Sequence, residues 1–428
     1  MDRLPQEVAL EILSRLPLLS LVQSKSVCRA WRTFIQDQLL LKKHFKHMVE
    51  NDPSFILQIM GHCIQNQLYF GDLSSDPNDE NVMVIAKKLT IPPLLSFHLV
   101  SSCNGLLLLS ATHPSFELCI YNPFTRDYVE LPKRSHHAGV LGFGFDPTTK
   151  KYKVVEISYK RTTHLYFRRR VVRFGMRPAS QTAASSVEVH ILTISSNTWR
   201  NLGSFPFRFV WQKSQVLVNG KLHWRATTNL IMSFDLATEQ FKEVPRPNFI
   251  ASNRRIHELV VLRGCLSAVS FDDDNEELEI WVMKEYDVKE SWVKQFSIGA
   301  YVPKMLQANY QCHSSNDPRF HSRKEWIQVL CLLKSGGLLL QYRNKALVVY
   351  DPHCRTFQDV EVPYEEIPSF RANSPADLKM IPSFTFSISN SITSSTILRT
   401  SIHKNKREVK SIAHDVQVAQ TEEGTFQS

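Results

Sequence analysis

The spacing of apolar residues changes once along the chain, near residue 52. Before that point it follows a helix, and after it a strand. Residues 4 to 16 read LPQEVALEILSRL, with Val8, Ile12, Leu13 and Leu16 on one stripe at helical spacing. Pro5 suits a first helical turn, where its missing N–H costs nothing. Glu7 complements the positive end of the helix dipole, and Pro17 stops the helix. Ser20 to Gln23 have the form of a capping box and predict a short second helix. A third runs from Val27 through Ile35, with Val27, Ala30, Trp31, Phe34 and Ile35 apolar. Asp37 is placed to cap a fourth that ends about His47. A module of about 45 residues is near the lower limit for an independent core. Part of its apolar surface is therefore expected to be covered by a helical partner or by the domain that follows.

Beyond residue 52 short β-rich runs recur between Gly, Asn, Asp and Pro turns. The stretches 118–132, 189–202, 231–245 and 347–360 share one cadence. Each has an apolar strand, then an Asn, Asp or Ser turn, then an aromatic that opens another strand: Tyr128, Trp199, Phe241 and Phe357. Glycine-led strands precede most copies, at Asn104-Gly105, Asn219-Gly220 and Gly336-Gly337. Such repetition implies stacked units. Sheets that cover one another radially, with only short edges left open, make a β-propeller. Counting gives about six blades: 54–90, 95–132, 139–203, 214–245, 257–298 and 326–362. A strand near 382–388 is expected to close the ring against the first blade. The fold class is thus α+β multidomain, a small all-α N-terminal domain of three helices followed by an all-β propeller. The expected boundaries are 1–47 for the helical domain, 48–94 for a linker and first propeller strands, 95–386 for the propeller and 387–428 for a flexible tail. The tail is rich in Ser and Thr, then basic at His403 to Arg407, a composition compatible with nuclear import.

The string from Leu4 to Ile35 closely resembles the F-box, without a gap. Leu4, Pro5, Ile12, Leu13, Leu16, Pro17, Leu21, Lys25, Val27, Cys28 and Trp31 stand at the family's positions. The match begins at the first residues, so the upstream extension of some relatives is expected to be missing. The segments around Cys103-Asn104-Gly105, Tyr121-Asn122-Pro123, Gly142 to Pro147 and Lys151 to Val155 resemble the F-box-associated domain of plant F-box proteins. That second resemblance spans roughly 95 to 380 and is looser towards its C-terminal end. The later repeats have a kelch-like cadence that agrees with it.

The resemblance implies a substrate adaptor of a Skp–cullin–F-box ubiquitin ligase. Residues implied for the Skp-type adaptor surface are Leu4, Pro5, Val8, Ile12, Leu13, Leu16, Pro17, Leu21, Val27, Cys28 and Trp31. A rigid loop–helix wedge of Leu and Pro binds at low entropic cost. Leu4, Pro5 and Pro17, at element ends, are expected to touch the partner, whereas Ile12 and Trp31 are expected to pack the core. Through the adaptor the chain would reach a cullin–RING ligase, while its propeller holds an unidentified target protein. No cofactor, no membrane partner and no nucleic-acid partner are expected, and the cytoplasm or the nucleus is the expected location.

Composition narrows the chemistry further. Of 428 residues 43% are hydrophobic and 21% charged, which excludes a disordered polymer. No run of 18 uncharged apolar residues occurs, and Glu7, Glu11 and Arg15 interrupt any secretory signal. Asn-x-Ser/Thr is absent. The eight cysteines are scattered without a C-x-x-C pair and read as buried thiols of a reducing compartment. The net charge of +10 is spread out, except at Arg168, Arg169, Arg170, Arg173 and Arg177. That cluster is either a solvated loop or a patch for acidic partners, RNA included. There is no Walker A loop, no nucleophile elbow and no zincin motif. Asp272 to Glu277 reads as a charged hairpin tip, since an EF-hand needs a turn glycine. Cys312, His313 and His321 are too widely spaced for a metal site. Trp199, Trp224, Trp281, Trp292 and Trp326 read as blade core. The long connections 160–186, 205–213 and 300–325 are the expected target-binding loops. A propeller enzyme and an RNA-binding or scaffolding protein are the alternatives.

Overall fold

The computed structural model describes residues 5–16, 20–21, 24, 27–35, 37, 39–40, 43, 54–61, 64–74, 82–89, 97–111, 118–123, 126–134, 139–159, 187–196, 198–207, 209, 215–248, 255–272, 276–311, 327–343, 345–361 and 377–382. The Arg168–Arg177 cluster, Cys312, His313, His321, Trp326 and the tail from residue 383 lie outside them. The chain divides into two compact units. One comprises Met1–Lys133, Phe271–Glu279 and Phe296–Ser428, the other Arg134–Ser270 and Ile280–Gln295.

Two N-terminal helices are continuous, α1 (Gln6–Ser14) and α2 (Arg29–Ile35). Ser20, Leu21, Ser24, Leu39, Leu40 and Lys43 also lie in helical turns. Pro5 occupies the N-cap of α1, where a missing N–H is harmless. The Asp37 carboxylate accepts the Leu39 N–H at 2.8 Å and caps the turn that follows.

The remainder is mostly antiparallel sheet, with one parallel contact where Val360 and Glu361 meet Val82 and Met83. The strands β1 (Phe55–Gly61), β2 (Ile64–Ser74) and β3 (Val82–Lys88) form a meander. Four four-stranded meanders follow. The first is β4 (Phe97–Cys103), β5 (Leu106–Ala111), β6 (Leu118–Tyr121) and β7 (Tyr128–Glu130). The second is β8 (Gly139–Asp146), β9 (Lys151–Tyr159), β10 (Val187–Thr193) and β11 (Arg200–Phe205). The third is β12 (Val216–Val218), β13 (Lys221–Arg225), β14 (Ile231–Asp235) and β15 (Phe241–Val244). The fourth is β16 (Ile256–Leu262), β17 (Cys265–Asp272), β18 (Glu277–Met283) and β19 (Trp292–Ile298). After the helix α3 (Lys304–Gln311) come β20 (Ile327–Leu332), β21 (Leu338–Tyr342), β22 (Ala346–Asp351), β23 (Thr356–Glu361) and β24 (Asp377–Pro382). These last five join β1 to β3 in one eight-stranded sheet, ordered β20-β21-β22-β23-β3-β2-β1-β24. The result is a β-propeller-like domain behind a helical N-terminus.

Two expectations shift. The closing strand is β24, about five residues earlier than the sequence suggested. It pairs with β1 from Phe55↔Pro382 to Met60↔Asp377. The 300–325 connection is not all loop, because α3 occupies part of it. Pro303 precedes the helix, and the Asp359 carboxylate accepts the Lys304 N–H at 3.0 Å. This partner is distant in sequence, so local pattern could not reveal it.

Turn chemistry explains the repeated cadence. Asn104-Gly105, Asn219-Gly220 and Arg263-Gly264 all have positive φ at both residues. They are the two-residue turns that match strand twist, and they close the β4–β5, β12–β13 and β16–β17 hairpins. At the other recurring turn, Asp146, Asp235 and Asp351 each accept N–H groups two and three residues on. The fifth residue of each turn has positive φ, at Lys150, Glu239 and Arg355, and so has Arg126 after Asn122. Amide side chains then tie strands of different meanders. The buried Gln58 on β1 donates to the Phe97 carbonyl and accepts the Leu99 N–H, both at 2.9 Å. In the other unit Gln215 does the same for the N–H and carbonyl of Phe143.

Among the described residues, the buried side chains of the helical module share their core with the sheets. Leu10, Leu13, Leu21, Ile35 and Leu40 share one buried cluster with Ile56, Phe70, Phe97, Leu99, Leu109 and Tyr121 of the sheets. Leu16, Trp31 and Phe34 pack against it partly buried.

Candidate docking surface

The helix α1 is apolar on more than one face, and packing selects one. Its buried side is Ala9, Leu10 and Leu13. Val8 and Ile12, one turn apart on another face, stay 43% and 46% exposed. Pro5 is exposed at the start of the same helix. Val27 and Leu39 are more exposed still, at 59% and 61%. Eight large hydrophobic residues are exposed among the described residues, and these four belong to the helical module. This concentration of exposed apolar side chains makes the helical module the candidate docking surface.

Charge borders the patch. Arg15 contacts Glu11 Oε1 at 2.8 Å, and Lys43 contacts Oε2 at 3.1 Å. Hydrogen bonds from Arg15 and then Lys43 hold the Glu11 carboxyl below the usual range. Exposed pairs of this kind add little stability. They do tie the Lys43 turn to α1 and fix where the polar border lies. At the start of α2 the exposed Cys28 accepts the Trp31 N–H through its sulfur at 3.4 Å.

The residues named from sequence separate into three groups. Pro5, Val8, Ile12, Val27 and Cys28 are exposed, and Leu16 and Trp31 are half-buried. Leu13 and Leu21 are fully buried, so they support the helices from within and do not form the outward surface. Leu4 and Pro17 lie outside the described residues. Ile12, expected in the core, is a correction. The stripe Val8–Ile12–Leu16 and the stripe Ala9–Leu10–Leu13 both satisfy helical periodicity, and only contact with the sheets selects the second. Sequence reasoning missed Leu10 as core and Leu39 as surface. The Asp37 cap was the available signal for Leu39, since it sets the phase of that turn.

The other chemistry is quiet. Among the described residues no group of three or more His, Cys, Asp or Glu is placed to hold a metal ion. Asp272 and Glu277 bound a hairpin, with Glu276 at φ +54° in its turn. Cys103, Cys119 and Cys331 are buried, as expected, but Cys28 and Cys354 are exposed, against expectation. Both follow turn or cap geometry, not a hydrophobic run, so burial was never imposed on them. Burial, helped by the Glu130 charge, pushes the Cys119 thiol up to about 12 and makes it a poor nucleophile. Trp224 and Trp292 are buried, and Trp199 and Trp281 are half-buried.

Comparison with known proteins assigns both parts of the chain. The family described as F-box-like matches residues 1–47. The family described as F-box associated beta propeller domain matches residues 56–371. The F-box protein At3g07870 of Arabidopsis thaliana is 37% identical, covering 84% of this chain and 88% of that protein. The F-box protein CPR1 of the same plant is 26% identical, covering 70% and 73%. The F-box/kelch-repeat protein At3g23880 is 27% identical, covering 69% and 79%. An exposed apolar patch on an N-terminal helical module, a β-propeller-like domain behind it and these two matches lead to one conclusion: the chain belongs to the plant F-box proteins that carry an F-box-associated domain.

Proposed function

We propose that this chain is the substrate-recognition subunit of a Skp–cullin–F-box ubiquitin ligase. The observation that carries the reading is the two-sided α1. One side is sealed into the core by Ala9, Leu10 and Leu13, while Pro5, Val8 and Ile12 face outward. An apolar surface held by a rigid support binds a helical partner at small entropic cost. Val27, Leu39 and the half-buried Leu16 are assigned to the same surface, and Leu4 and Pro17, outside the described residues, are assigned to it from the sequence alone. The partner is a Skp-type adaptor, and through it a cullin–RING ligase.

The six four-stranded groups, β24-β1-β2-β3 and the five that follow, are read as six blades closed by β24. The connections between these strands differ widely in length. The longest of them include 160–186, 206–215, 245–255 and 299–326. Target recognition is assigned to these connections, where sequence length is free to vary. The chain supplies no nucleophile in this reading. It raises the effective concentration of a target beside a charged conjugating enzyme, in the cytoplasm or the nucleus.

The test is co-purification with a recombinant Skp-type adaptor. The wild-type chain is expected to form a stoichiometric complex. Val8→Glu with Ile12→Glu is expected to abolish it and leave thermal unfolding unchanged. Undiminished complex formation by that variant refutes the assignment.

A further inference from the structure

The buried cluster that receives the helical module is shared by two sheets. Ile56, Leu68 and Phe70 enter it from the β1–β3 meander, and Phe97, Leu99 and Leu109 enter it from the β4–β7 meander. Among the described residues no strand ladder joins these two meanders. Strand β1 pairs with β2 and β24, while β4 ends a separate four-stranded sheet. Side chains join them instead. One link is Gln58 of β1, which holds the Phe97 carbonyl and the Leu99 N–H of β4. The other is the apolar packing around it, and the helices complete that packing. Leu13, Leu21, Ile35 and Leu40 are fully buried there.

The helix α1 therefore has two duties. Its inner side, with Leu10 and Leu13, fills the joint between the sheets. Its outer side, with Pro5, Val8 and Ile12, is the surface assigned to the adaptor. At nine residues it is too short to stay helical in water by itself. Its order comes from the packing beneath it. Opening the joint melts the outer surface, so whatever pins the outer surface keeps the joint closed. Packed segments that depend on one another in this way open together.

We propose that the helical module and the first two meanders open as one cooperative unit, so that an adaptor bound to the outer side of α1 stabilises two propeller sheets through buried side chains that no partner can reach. The inference rests on the adaptor reading of that surface. It makes the adaptor a support of the propeller as well as a tether to the ligase.

The test is hydrogen–deuterium exchange of the full chain, read by mass spectrometry with and without a recombinant Skp-type adaptor. Peptides covering β2, β4 and β5 report on the joint. Strands β12 to β15, which belong to the other compact unit, are the reference. With free adaptor at about 100 times its Kd, exchange in β2, β4 and β5 is expected to slow about 100-fold, and exchange in β12 to β15 to stay unchanged. Slowing confined to residues 5–43 overturns the proposal. So does equal slowing in the reference strands, which makes the effect global. A second arm uses no adaptor. Leu40→Ala, a truncation inside the helical module, should speed exchange in β2, β4 and β5 by about 30-fold or more. If that variant does not fold, Ile35→Val should speed it by about twofold to tenfold. Sheet exchange indifferent to these substitutions overturns the proposal. The two readings fail separately. A wild-type chain that binds no adaptor removes the ligase reading, whereas bound adaptor with unchanged β2, β4 and β5 removes the coupling alone.

Discussion

Ile12 and Leu13 are neighbours in sequence with opposite surroundings, and their substitutions should separate binding from stability. Fully burying an aliphatic side chain is worth about 1.5–3 kcal/mol. Ile12 still exposes 46% of itself and Val8 43%. Covering the remainder with a partner is then worth about 1 kcal/mol for each. Val8→Ala with Ile12→Ala should weaken adaptor binding by about 2 kcal/mol, near 30-fold in Kd. Its effect on unfolding should stay within about 0.5 kcal/mol, as at other exposed sites. Leu13 is fully buried in the cluster shared with Ile56, Phe97, Leu99 and Tyr121. Leu13→Ala should cost about 2–5 kcal/mol of stability through lost contacts and a residual cavity. Because sheet residues line that cavity, the loss should register in β-sheet signals as well as helical ones. Biolayer interferometry with a recombinant Skp-type adaptor and urea unfolding by circular dichroism measure the two effects. A double alanine variant that binds within twofold of wild type refutes the outward surface. A Leu13→Ala chain of unchanged stability refutes the shared core.

Gln58→Leu should destabilise by about 2–5 kcal/mol in urea, since the Phe97 carbonyl and Leu99 N–H both lose their partner inside the core. The buried His223 lies 2.8 Å from the Tyr286 hydroxyl, and burial drives its pKa down to about 4. It folds neutral, so the unfolded chain binds the extra proton below its ordinary value near 6.5. Stability from this group is complete above that value and is lost as pH falls towards 4. About 2 kcal/mol should disappear between pH 7 and pH 5. His223→Gln should flatten that part of the urea-midpoint profile, and an unchanged slope would show that His223 is not its source.

Sequence alone determined the order of elements apart from α3, the change from helical to strand spacing, and most of the turns that punctuate the meanders. Those features are local. A two-residue turn with positive φ wants Asn-Gly wherever it occurs, and an Asp that caps its own turn needs no distant partner. The F-box positions were legible for the same reason, since they are residue types at fixed spacing. Tertiary structure decided which side of α1 is covered. Two apolar stripes on one helix have equal claims until the sheets supply Ile56, Phe97 and Tyr121 as neighbours. It also decided that β24 pairs with β1 across more than 300 residues of chain, that Asp359 caps α3, and that Gln58 ties β1 to β4. Each of these is a bond between atoms remote in sequence, made only after the chain has folded, so no periodicity within a window encodes it.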